Sequence, residues 1–283
     1  MNNFPSCFSE HGVQIIDSSC SNASSTITSI IPKPSQNIVT CIYHCKLLNK
    51  SHLIIINWSK NLVGHCFTVE IEDPSHESLS KIHVKPSMFS KRKGSKSVTF
   101  NLITVDLNWD LTDAKFGSSP EPIAGFFVCL VFDGEMVLLI GDTTKEMAEN
   151  NKCWLRLMKR EHVFGSKVYV TKAQFEDHGR VHDLKIECDT IGVDDPWLMV
   201  RLDGKIVMQV KHLVWKFRGN SRILIDGLPV EVYWDVHNWL FGSTTGSAVF
   251  MFRTCSVVDR SNVAWAGLRS SSFCLMVYAW KNE

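Results

Sequence analysis

Val105-Asp106-Leu107-Asn108-Trp109-Asp110, followed by Phe116-Gly117-Ser118, returns as Val230-Glu231-Val232-Tyr233-Trp234-Asp235, followed by Phe241-Gly242-Ser243. The spacing is constant at 125 positions, from Val105 to Val230, Trp109 to Trp234 and Gly117 to Gly242, and Gly94 and Gly219 keep it as well. In both copies apolar residues alternate with polar ones, the period of a strand with one buried face. A second correspondence, Phe67–Glu72 with Leu198–Asp203, runs at 131 positions, Val69 answering Val200. The change in spacing falls in one loop: the first copy has the long Asp73–Ser80 connection where the second has a tight Asp203-Gly204 turn. One β-domain is written twice.

Outward from these anchors, alternating runs recur throughout 37–142 and again throughout 161–283. Asp133-Gly134, Asp203-Gly204 and Asp226-Gly227 each separate two such runs and predict two-residue hairpins. Eight short strands per copy, with turns roughly every eight to twelve residues, predict a sandwich or a barrel. The expected fold is therefore all-β: two tandem, internally duplicated antiparallel β-sandwich or barrel-like domains, with Trp109 and Trp234 as buried equivalents. Residues 143–160 read as a linker with a short helix, because Thr143 and Glu146 are spaced as a capping box. Its apolar group, Cys153–Met158, is expected to pack between the lobes. Residues 1–36, rich in Ser and Asn, bury too little to offset chain entropy and read as a disordered tail.

With 283 residues, 45% hydrophobic and 21% charged, the composition is that of a globular protein long enough for two ordinary domains. A formal net charge of +1 speaks against a wholesale nucleic-acid binder, although charge still concentrates locally. The longest uncharged apolar runs, 122–132 and 270–280, reach about half the ~20 residues of a membrane-spanning helix. Residues 1–14 lack a basic segment and a continuous apolar core, so no secretory signal is expected. An intracellular protein, cytoplasmic or nuclear, follows. Four of the ten cysteines, Cys41, Cys45, Cys129 and Cys188, fall within expected strands as small buried hydrophobes, which suits a reducing compartment. Cys41-Ile42-Tyr43-His44-Cys45 is the nearest approach to a metal motif, and no second Cys/His pair answers it. No metal and no cofactor are expected.

Several stretches carry a family likeness: Lys91–Lys96, Trp109-Asp110-Leu111, Pro120-Glu121-Pro122, Phe132–Leu139, Glu161–Gly165, Trp215–Asn220 and Val232–Phe241. Together, and in this order over 37–283, they resemble a plant family filed under domain of unknown function 868. The resemblance implies a land-plant protein with no established activity. One departure is Val258–Ser272, shorter than the family's acidic, helix-like connection before the last strand.

The most suggestive polar feature is basic and duplicated. Residues 81–97 hold Lys81, Lys85, Lys91, Arg92, Lys93 and Lys96 without an acid, and 205–222 hold Lys205, Lys211, Lys216, Arg218 and Arg222, again without one. Lys91, Arg92, Lys93, Lys96, Lys216, Arg218 and Arg222 are the candidates for binding an anionic ligand: a protein partner, an anionic lipid surface or RNA. Phe89, Trp215 and Phe217 stand beside them, as stacking or interfacial insertion requires. The plainer reading is that lysines keep a sheet edge from pairing with other chains while the aromatics face the core. Arg92-Lys93-Gly94-Ser95 also fits a basophilic kinase site, and phosphate on Ser95 would weaken anion binding.

Asp110 and Asp235 occupy the same place in the two copies and offer acid–base chemistry, but an Asp ending a strand ordinarily hydrogen-bonds turn amides. His178 and His182 have a helical metal spacing that Gly179 and the following strand deny them. No Gly-x-Ser-x-Gly elbow, Walker loop or dinucleotide fingerprint is present. The expected function is a non-enzymatic binding or scaffold module. The alternative is a hydrolase or carbohydrate-acting enzyme with Asp110, Asp235 or His237 converging in a cleft between the lobes.

Overall fold

The computed structural model describes residues 38–47, 50–61, 64–72, 78–84, 92–100, 103–142, 154–176, 179–189, 195–242, 246–254 and 272–281. The expectations for the 1–36 tail, Phe89, Lys91, the capping box, His178 and nearly all of 258–272 lie outside them. Strands β1 (Ile38–Leu47), β2 (Lys50–Asn61), β3 (Gly64–Glu72) and β4 (Ser78–Val84) form an antiparallel meander. Next come β5 (Lys93–Phe100), β6 (Ile103–Asp110), the small hairpin β7 (Lys115–Phe116) and β8 (Pro122–Ala124), then β9 (Phe127–Phe132) and β10 (Glu135–Gly141). These give a four-stranded sheet in the order β10-β9-β6-β5.

After β11 (Trp154–Gly165), the strands β12 (Val168–Ala173), β13 (His182–Asp189), β14 (Trp197–Leu202) and β15 (Lys205–Val210) form a second four-stranded sheet. The chain ends with β16 (Arg218–Ile225), β17 (Leu228–Asp235), the one-turn helix α1 (His237–Phe241), β18 (Ser247–Thr254) and β19 (Cys274–Lys281). The long sheet combines both halves in the order β16-β17-β18-β19-β11-β1-β2-β3-β4. Four neighbouring strands followed by four more thus occur twice along the chain. The architecture is all-β, and among the described residues no sheet closes on itself, which removes the barrel alternative.

Period-2 alternation sends one face of the central strands inward. Val105, Leu107 and Trp109 of β6 join a core with Ile54, Ile56, Trp58, Phe67 and Val69. Val230, Val232 and Trp234 of β17 join another with Leu184, Ile186, Leu198, Phe250 and Phe252. Trp109 and Trp234 are 9% and 8% exposed, equivalent in burial as in position. Phe116 and Phe241, equivalent in sequence, part company: Phe116 stacks on His65, whereas Phe241 ends α1, whose Trp239 plugs the second core.

The Asp-Gly turns form as the spacing requires. Asp133, Asp203 and Asp226 have φ of 45°, 49° and 49°, and the following glycines 86°, 81° and 85°, the left-handed pair of a type I′ hairpin. Two of the tips are then tied together: buried His182 reaches Asp203 through Nδ1 at 2.9 Å and Asp226 through Nε2 at 3.0 Å. His182 serves the fold here, clasping hairpins from two sheets.

One expectation is corrected. Trp154–Arg160, read as part of a helical linker, are strand: β11 pairs antiparallel with β1 and parallel with β19. A helix would satisfy its amides internally, whereas here both flanking strands present a ladder to be completed. Cys153 lies outside the described residues. Trp154 packs on the first core and Met158 on a small cluster of Tyr233, Met251 and Cys274.

Gly94 and Gly219 lie opposite Trp109 and Trp234 in the register of their hairpins. A Cβ on Gly94 would sit 2.9 Å from Trp109 Cζ2, and one on Gly219 closer still to Trp234 Cζ2. The close approach is why glycine stands there. Gly219→Ala is expected to lower stability by about 1–3 kcal/mol through overpacking, and Trp234→Ala by about 3–5 kcal/mol. Urea melts check both; a Gly219→Ala protein as stable as the wild type would contradict the close approach.

Candidate functional site

The two basic runs occupy edge strands, β5 ending one four-stranded sheet and β16 ending the long sheet. Part of their charge is answered across the strand. Lys93 Nζ lies 3.1 Å from Asp110, and Arg218 Nε lies 2.7 Å from Asp235, the corresponding pair 125 positions further along. Arg222 lies 3.1 Å from Glu231, while in the first lobe the Ser97 hydroxyl donates to Asp106. Arg92 donates to the Thr112 carbonyl at 3.4 Å and keeps its charge toward water. Lys96, Lys211 and Lys216 are exposed and make no ion pair among the described residues. The candidates therefore divide: Lys93, Arg218 and Arg222 are neutralised, and Arg92, Lys96 and Lys216 are not. Ser95 is exposed on β5, opposite Asn108.

The acids themselves close turns. Asp110 Oδ1 accepts the Thr112 amide at 3.0 Å, and Asp235 Oδ1 accepts the His237 amide at 3.0 Å. The Thr112 backbone and hydroxyl, helped by Lys93, hold the Asp110 carboxyl below the usual carboxylate range. These two carboxylates sit on strands of different sheets. The His237 ring packs between Phe217 and Phe241, at 5.5 and 5.3 Å.

The loop between β15 and β16 is the most exposed apolar feature described. It turns at His212, whose φ of 56° is left-handed. The His212 carbonyl accepts the amides of Trp215 at 3.0 Å and Lys216 at 3.2 Å. Leu213 is buried in the second core, and its amide reaches the Pro196 carbonyl at 2.9 Å. The Trp234 indole donates to the Lys216 carbonyl at 2.9 Å. So anchored, the loop holds Trp215 outward, 85% exposed, between Lys211 and Arg218 in sequence. Phe241, 53% exposed, meets Phe217 edge-on at 5.5 Å.

A second polar group escaped sequence reasoning. Lys159 of β11 lies 2.7 Å from Glu121 and 2.5 Å from Glu161, and Glu161 is only 3% exposed. Thr171 of β12 donates to Glu161, and Cys41 of β1 lies 3.5 Å from Glu121. Burial alone would push the Lys159 ammonium down, but the two carboxylates outweigh it and hold it charged. Burial likewise opposes ionisation of Glu121, and Lys159 and Arg156 overcome it. Burial raises the Cys41 thiol well above its ordinary value. Beside this cluster is a small concavity lined by Ser118, Ser119, His162 and Val170. The carboxylate facing it, Glu161, is already held by Lys159 and Thr171. Elsewhere, Cys41 and Cys45 are buried in the first core, while the His44 ring, partly exposed, bonds Ser51 at 2.5 Å.

The profile of a family described as plant protein of unknown function, DUF868, matches residues 34–281. No curated protein and no solved structure matches the chain.

Two expectations follow from these clusters. Lys159→Met leaves buried Glu161 and half-buried Glu121 without their shared cation and is expected to cost about 3–5 kcal/mol in urea melts, with part regained on adding Glu121→Gln and Glu161→Gln. Glu231 accepts from Arg253, Tyr233 and Arg222, which together depress its carboxyl from 4.5 to about 2. A carboxyl depressed in the folded state stabilises fully above its unfolded value, and that share is lost as pH falls from about 4.5 toward 2. Glu231→Gln should flatten this limb of the stability–pH curve; an unchanged limb would remove Glu231 from the account.

Proposed function

The chain belongs to the plant DUF868 family, a family of unknown function, and we propose from its geometry that it is a non-enzymatic binding or scaffold module. In this reading it is one β-sandwich present twice, and it engages an anionic partner through the basic residues of the 211–217 loop and the β5 edge. The observation that carries the reading is the state of the cations. Edge protection needs only charge beside the unpaired ladder, which Lys93, Arg218 and Arg222 supply in neutralised form. Arg92, Lys96, Lys211 and Lys216 keep uncompensated charge facing water, two of them flanking an exposed indole. Six free thiols among the described residues suit an intracellular compartment, cytoplasmic or nuclear. The hydrolase alternative gains nothing from the site, since Asp110 and Asp235 already serve turns and ion pairs in different sheets.

Ser95 is proposed as a modification site in this scheme. Phosphate there would set close to two negative charges between Lys93 and Lys96. The test is retention on a heparin column across a salt gradient. Wild type should elute at higher salt than the Arg92→Glu/Lys96→Glu/Lys211→Glu/Lys216→Glu variant, with Ser95→Glu between them. Elution of the fourfold variant at the wild-type position would reduce these residues to guards of the sheet edge.

A further inference from the structure

We propose that the 211–217 loop of the second lobe is a docking tip for bilayers rich in anionic phospholipid, with Trp215 entering the headgroup layer. This rests on reading the uncompensated cations as an anion-binding surface, and adds the occupant. An indole left 85% exposed forfeits the largest apolar contribution a side chain can make, unless something covers it. Trp215 is exposed without being loose. His212 spends its carbonyl on two amides, Leu213 plugs the core, and Lys216 is pinned by the Trp234 indole. The loop thus presents its side chain with little ordering left to lose on binding.

The chemistry around the indole selects the partner. Val214 precedes it at 38% exposure, and Phe241 adds a second apolar prong against Phe217. Lys211 and Lys216 bracket Trp215 in the chain and are exposed, free to meet lipid phosphates. Among the described residues, Asp195 is paired with His212 at 3.0 Å and Asp235 with Arg218. An apolar prong with cations at its base matches the bilayer interface, where indole sits at headgroup level and ammonium groups meet phosphate. Single-stranded nucleic acid prefers aromatic faces laid along a basic groove that tracks several bases. Trp215 instead projects, and the neighbouring rings Phe217, His237 and Phe241 are packed against one another.

The experiment uses the full chain with three probes: vesicles of phosphatidylcholine, vesicles with about 30% phosphatidylserine, and a single-stranded RNA. Co-sedimentation should show binding to the anionic vesicles alone, and brominated lipid should quench tryptophan emission. Trp215→Ala is expected to weaken binding about tenfold with an unchanged thermal melt, and Trp215→Phe to abolish the quenching while retaining most binding. Lys211→Glu/Lys216→Glu should remove the preference for phosphatidylserine. Leu224→Ala, at an exposed residue of β16 outside the loop, should bind as wild type. Vesicle binding that survives Trp215→Ala overturns the tip. So does RNA binding, or heparin retention, without vesicle binding, which leaves the anion-binding reading standing. Absence of binding to vesicles, RNA and heparin alike overturns both.

Discussion

The structure hangs on the two ladders of β11. Met158, Lys159, Arg160 and Glu161 have register partners on both sides, in β1 and in β19, so one strand completes sheets belonging to both halves of the chain. Without it each half would keep its own core and expose one further edge, β1 in the first and β19 in the second. With it, the first meander of one half and the second meander of the other become one continuous sheet. The side chains of β11 must then suit two environments. On its outer face His162 stacks on Tyr278, and the Trp280 indole donates to the His162 ring. On its inner face lie Lys159 and Glu161, where the two cores meet. Burial there is tolerable only because Glu121 and Thr171 complete the pairing.

That is also why β11 was the illegible part of the sequence. Its text, Trp154-Leu155-Arg156-Leu157-Met158-Lys159-Arg160-Glu161-His162, lacks the clean alternation of β6 or β17, and hydropathy assigns charged residues to water. The partner that makes Lys159 and Glu161 fit inside, Glu121, arrives from a loop nearly forty positions away. Period-2 patterns, Asp-Gly turns and the paired Gly and Trp positions were legible because each is set by local physics: strand pleat, left-handed backbone, ring against glycine. The barrel alternative survived at that level because closure depends on which edges pair, which no local pattern encodes.

The basic runs show the same limit from the other side. Each run reads as acid-free along the chain, yet a strand's neighbours in space belong to its hairpin partner. Asp110, Asp235 and Glu231 sit across the ladder from Lys93, Arg218 and Arg222, and cancel charge that a linear count leaves standing. The pairing could be anticipated, because Asp110 and Asp235 share the constant spacing with Lys93 and Arg218. The sequence left two places open for Trp215: beside the cations as an interfacial side chain, or facing the core. The left-handed turn at His212 and the anchoring of Leu213 decide between them and turn it outward.

The division of labour along the β15–β16 connection follows from these constraints. An edge strand of a long sheet has an unpaired ladder, and its safest surface is charged but internally balanced, since free cations there would attract acidic segments to the very groups that need shielding. The β16 cations, matched by acids on β17, meet that requirement. A loop carries no ladder and is under no such restriction. The amides of Leu213, Trp215 and Lys216 are already taken by the carbonyls of Pro196, His212 and Leu213, so uncompensated lysines and a bare indole can stand on it with little invitation to strand addition. Surface suited to a partner and surface suited to solitude are thus separated by a few residues, and the boundary falls at Phe217, where the chain leaves the loop and enters the sheet.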